Sequence, residues 1–105
     1  MSTANTASFY PYPTPGATDQ RLTVDDTAGG VQFATAFNEK TRQVMFDVQS
    51  YDVMCTIDGS APTTTNGHQL AAGTKYTWSK EMATAAKFIR LTANSATIHA
   101  SEITQ

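Results

Sequence analysis

The run from Val53 to Trp78, VMCTIDGSAPTTTNGHQLAAGTKYTW, constrains the fold more than any other stretch of the chain. It fits a strand, a turn, a polar loop, a second tight turn and an aromatic strand into 26 residues. Val53, Cys55 and Ile57 alternate with Met54, Thr56 and Asp58, the period of a half-buried strand. Asp58-Gly59-Ser60-Ala61-Pro62 is a turn by chemistry. Its carboxylate can bond nearby backbone, its glycine tolerates positive φ, and its proline cannot continue a ladder. Thr63–Gly67 follows as a polar loop, His68–Leu70 as a brief strand and Ala72-Gly73 as a turn. Lys75–Ser79 then places Tyr76 and Trp78 on one face.

The flanking sequence keeps this rhythm. Val44, Phe46 and Val48 alternate with Gln43, Met45, Asp47 and Gln49, and only Ser50–Asp52 separates them from the strand at Val53, so the spacing predicts a hairpin. Arg21–Val24 reads as a short strand, closed by Asp25-Asp26 and the Gly29-Gly30 turn. Val31–Phe37 reads as a second strand and Asn38–Thr41 as a polar turn. Lys80–Ala86 is the one helical candidate, with Ser79 as N-cap and Glu81 in the first turn, where the helix dipole favours an acid. Lys87–Thr92 and Ala96–Ile103 complete the strands around an Asn94-Ser95 turn. The alternation predicts a core of Val44, Phe46, Val48, Val53, Cys55, Ile57, Ile89, Leu91 and Ile98. Short strands broken by turns every eight to twelve residues or so indicate an all-β fold, a single antiparallel β-sandwich of jelly-roll or Ig-like type. Abundant threonine, whose branched Cβ favours strands, agrees.

Residues 1–20 differ in kind. They hold Pro11, Pro13 and Pro15, three of the four prolines, together with Phe9, Tyr10 and Tyr12. Alternating prolines fix φ and favour an extended path. The segment reads either as a frayed terminus or as an arm that docks on its own domain or a neighbour. The aromatic residues favour docking, since large apolar rings gain by burial. This divides the chain into an extended N-terminal arm, 1–20, and a β-sandwich domain, 21–105. Phe9, Tyr10 and Tyr12 become candidate assembly contacts, and Thr63, Thr64, Thr65 and Asn66 candidate contacts of an exposed loop.

Several function classes fit poorly. Net charge is −2 and the seven basic residues are scattered, whereas nucleic-acid binding needs a concentrated positive footprint. The lone Cys55 excludes an intrachain disulfide and reads as a small buried thiol. The opening MSTANTASFY lacks the charged and apolar regions of a secretion signal, so synthesis in a cytoplasm is expected. No stretch has the roughly 20 apolar residues of a membrane helix. Ser60 sits in a D-G-S turn without the G-x-S-x-G elbow of a hydrolase. Asp25, Asp26 and Asp58 lack calcium-loop spacing, and His68, His99 and Cys55 are not clustered as metal ligands would be. We therefore expect no catalytic residue, no cofactor and no metal. Trp78 and Tyr76 fit either a core or a sugar-stacking platform.

From Val48 to Trp78 the valine strand, the T-x-D-G-S-x-P-T turn, the G-H-x-L-x-x-G stretch and the aromatic strand resemble small structural proteins of tailed-phage virions. The matching residues are Thr56, Asp58, Gly59, Ser60, Pro62, Thr63, Gly67, His68, Leu70, Gly73 and Trp78, and Lys87-Phe88-Ile89-Arg90 also fits. The resemblance covers roughly 43–103 and leaves the Pro/Tyr segment outside. It implies a non-enzymatic capsid decoration or cement protein, made in the host cytoplasm and carried on the virion surface. Its partners would be the major capsid protein and copies of itself, in a homo-oligomer such as a trimer, with no nucleic acid and no membrane. The same turn is similar to one in Ig-like accessory modules of chitobiase-type enzymes, although Cys55-Thr56 stands where those place Tyr-Thr. That second resemblance implies a carbohydrate- or receptor-binding module of a phage tail or of a larger carbohydrate-active enzyme.

Overall fold

Val44, Phe46 and Val48 are almost completely buried, while Gln43 and Met45 between them stay exposed, so the alternation near the middle of the chain is a strand with one face inside. It is one of seven in the computed structural model, which describes residues 15–104. The strands are β1 (Pro15–Val24), β2 (Gln43–Gln49), β3 (Val53–Thr56), β4 (His68–Leu70), β5 (Lys75–Ser79), β6 (Lys87–Arg90) and β7 (Ala96–Ile103), with one short helix, α1 (Lys80–Ala85), after β5. They form two antiparallel sheets, one of four strands in the order β1-β7-β2-β5 and one of three in the order β4-β3-β6. The fold is an all-β sandwich.

Between the sheets lie Leu22 and Val24, Val44, Phe46 and Val48, and Ala96, Ile98 and Ala100 from the larger sheet, facing Val53, Cys55, Leu70 and Phe88 from the smaller. Phe46 and Phe88 meet edge to face across the gap at 6.0 Å. Trp78 packs edge to face on Phe46 at 4.9 Å, and Tyr76 stacks on the same ring at 5.5 Å. Aromatic pairs in such geometries contribute about 0.5–1.5 kcal/mol beyond the area they bury.

Helix α1 forms as the capping chemistry requires. Ser79 Oγ accepts from the Met82 amide at 3.2 Å, and Glu81 lies in the first turn. Ala83 in the helix and Ala86 at its C-cap are fully buried in the core.

Four local expectations are corrected. Residues 43–49 and 53–56 do not form a hairpin. They belong to opposite sheets, and the bend at Ser50, with φ +77°, carries the chain across the sandwich. Val31–Phe37 is not a strand. Val31 alone bridges to Phe88, through two backbone bonds of 2.8 Å, while Phe33 turns in to meet Phe37, Phe46 and Phe88. That segment plugs the sandwich instead of extending a sheet. Ile57 is outside the core at 38% exposure, because the β3 ladder ends at Thr56 and the Asp58 turn begins there. In β6 the inward residue is Phe88, and Ile89 and Leu91 are only partly buried. Phe88 pairs directly with Cys55, and directly opposed residues share a face.

β1 begins at Pro15, six residues before the strand start expected at Arg21. Its register against β7 shifts between Pro15 and Asp19. The candidate assembly contacts Phe9, Tyr10 and Tyr12 lie outside the described residues.

Candidate functional site

The loop end of the three-stranded sheet gathers the candidate loop residues with several polar neighbours. An open cleft of about 310 Å³ is lined by Thr56, Ile57, Asp58, Ser60, Asn66, Gly67 and His68. It forms because β3 stops at Thr56 and the chain returns as β4 at His68, opposite Cys55. Gly67 makes that return possible. Its φ is +138°, and a Cβ there would meet the Cys55 carbonyl oxygen at 2.9 Å. Only glycine lets the two backbones come so close.

The turn beside the cleft is internally bonded. Asp58 Oδ1 accepts from the Ser60 amide at 3.0 Å and from Ser60 Oγ at 2.6 Å. These bonds, the Ser60 hydroxyl first, hold the Asp58 carboxyl below its usual range. Thr56 Oγ1 donates to the Ser60 carbonyl at 2.6 Å, and Lys87 Nζ donates to the Gly59 carbonyl at 3.1 Å. Pro62 is fully buried and anchors the turn.

The polar loop closes on itself in the same way. Thr63 and Asn66 exchange backbone bonds of 3.0 and 3.3 Å. Thr63 Oγ1 accepts from the amides of Thr65 and Asn66, and Asn66 Nδ2 donates to the Ala61 carbonyl. Thr63, Thr64, Thr65 and Asn66 are all exposed. The loop is a preshaped polar surface, with Ile57 and His68 beside it.

Ser60, Asp58 and His68 surround one cleft, yet the hydroxyl of Ser60 donates to Asp58. In a Ser/His/acid arrangement the hydroxyl would donate to the imidazole, whereas here it is held by a carboxylate whose basicity is lowered. Cys55 lies inside the sheet with its Sγ toward the Thr56 carbonyl at 3.7 Å, and burial pushes its thiol up to about 12. Such a thiol stays protonated at neutral pH and is a poor nucleophile. Among the described residues no group of three or more His, Cys, Asp or Glu side chains could hold a metal ion, and no helix is long and apolar enough to cross a membrane.

A second depression, about 430 Å³, lies between the plug and α1 and is lined by Gln32, Phe33, Ala34, Phe37, Lys80 and Thr84 among others. Gln32 Nε2 reaches across it to the Thr84 carbonyl at 3.2 Å. Reading 31–37 as a strand hides this groove, because it arises only when Phe33 leaves the sheet direction to enter the core. No family model matches the chain, and no curated protein or solved structure matches it either.

Proposed function

We propose that this chain is a non-enzymatic structural protein of a tailed-phage virion, a capsid decoration or cement protein bound to the outer capsid in many copies. The resemblance of Val48–Trp78 to such proteins motivates the reading, and the position of Trp78 carries it over the carbohydrate-binding alternative. A sugar platform needs an open indole face. Trp78 is partly buried, lies 4.9 Å from Phe46 and 6.3 Å from Tyr76, and is packed against the core. Part of its ring is taken up by these contacts, which favours the structural reading.

The remaining features suit a protein that adds mass and contacts to a shell. The two sheets make a small sandwich, and the Thr63–Asn66 loop displays polar groups on a turn closed by its own hydrogen bonds. A net charge of −2 suits an outward surface better than one facing packaged DNA. Cryo-electron microscopy of virions made with the gene intact and disrupted tests the reading. Added density on the outer shell, lost in the disrupted particles and restored by purified protein, is expected. Particles identical with and without the gene overturn it.

A further inference from the structure

Each sheet of an open sandwich has two edge strands, and unpaired edges are templates for another chain. Three of the four are blunted here. β4 is only three residues long. β6 is covered, since Phe88 bonds to Val31 in both directions and the Arg90 amide donates to the Asp25 carbonyl. β5 is five residues long, begins at Lys75 and runs straight into α1. The fourth, β1, is ten residues long and pairs with β7 along one side only, in continuous register from Asp19 to Val24 after the shift that follows Pro15. No backbone bond leaves its other side among the described residues.

We propose that β1 is the surface through which two copies of this chain join, edge to edge and antiparallel about a two-fold axis at Gln20, with Asp19 of each copy opposite Arg21 of the other. The register follows from parity and charge. Directly opposed residues in an antiparallel sheet share a face, so in a self-paired strand the axis must pass through a residue and not between two. With the axis at Asp19 or at Arg21, like charges face each other. At Leu22, Asp19 meets Asp25. At Thr23, Arg21 would need Asp25, which lies past the end of β1 with Oδ1 bonded to Thr27 and its carbonyl to Arg90. At Gln20 two opposite-charge pairs form at once.

Asp19 and Arg21 both face solvent. Arg21 is exposed and joins no ion pair among the described residues. Asp19 bonds to His99 at 3.2 Å and to Ser101 along its own sheet, and keeps 58% of its side chain exposed. On the inner side, Gln20 holds Thr35 by two bonds, Nε2 to the carbonyl at 2.9 Å and the amide to Oε1 at 3.2 Å. The axis brings the two Thr35 segments together there, and the residues beside them, Ala34 and Ala36, are exposed and small. The joined molecules share one continuous sheet of eight strands.

Sedimentation of the full chain over a range of concentrations tests this. The wild type should pass from monomer to dimer as concentration rises. Arg21→Asp sets Asp19 against an acid twice and should weaken the dimer about tenfold or more, while Asp19→Arg with Arg21→Asp together should recover it. Melting curves confirm that each variant is folded. In the wild type, hydrogen exchange at β1 amides should also slow as dimer forms. A chain that stays monomeric, a dimer indifferent to Arg21→Asp, or β1 exchange independent of concentration each overturns the proposal.

Discussion

Glu102 and Thr41 are 61 residues apart in sequence and joined by a buried hydrogen bond, the threonine hydroxyl donating to the carboxylate. The same oxygen accepts from the Asn38 amide at 2.9 Å. Glu102 is 5% exposed and Thr41 3%. One acid on β7 thus fixes the turn that leads into β2. Glu102→Leu leaves the buried Thr41 hydroxyl without its acceptor, at a cost of about 1–3 kcal/mol, while the Asn38 amide, on an exposed residue, can turn to water. Urea unfolding should show a loss in that range, and Glu102→Gln, which keeps a carbonyl acceptor, a smaller one.

Phe46 and Ile57 separate the core from its edge. Phe46 is 1% exposed and contacts Phe33, Tyr76, Trp78 and Phe88. Its truncation to alanine should cost about 3–5 kcal/mol. Ile57→Ser, at a residue left outside the ladder, should change stability by no more than about 0.5 kcal/mol. Chemical denaturation of the two variants side by side checks both. A comparable loss in each would place Ile57 in the core after all.

The buried thiol predicts a pH dependence at the alkaline end. An unfolded cysteine ionises near about 8.5, whereas Cys55 in the fold holds its proton to about 12. Above pH 9 or so the unfolded chain therefore releases a proton that the folded chain keeps, and this group's contribution lowers stability as pH rises toward 12. Comparing denaturant midpoints of the wild type and Cys55→Ala across that window isolates it, and the variant should show the shallower decline. At pH 8 a thiol reagent should label the native protein far more slowly than the protein in urea.

Gly67→Ala should be among the more damaging single-methyl changes in the chain. The new Cβ meets both a φ of +138° and the Cys55 carbonyl oxygen at 2.9 Å. Strain of order 1–3 kcal/mol is expected. Gly73→Ala carries the φ penalty alone, with nothing near its Cβ, and should cost less. Thermal melts rank the pair.

What was legible in the sequence is what local chemistry decides. The alternation of Val44, Phe46 and Val48, the hydroxyl cap of Ser79 on α1, the Asp58–Ser60 turn and the span of β7 each depend on residues within a few positions of one another. Such signals reach the fold class, and they locate the exposed Thr63–Asn66 loop. Pairing was not legible, because two strands joined by a short bend can hydrogen-bond to each other or face each other across a core, and their alternation is the same in both cases. Only the assembled sheets put β2 beside β7 and β5 and sent β3 to the opposite layer. The register of β3 against β6 then chose Phe88 over Ile89 for the interior. Phe33 left its strand-like surroundings because the sandwich had an open end that an aromatic ring could fill, and Glu102 became a buried clamp because the 38–41 turn came to rest above it. These outcomes depend on surfaces that exist only once distant segments have met.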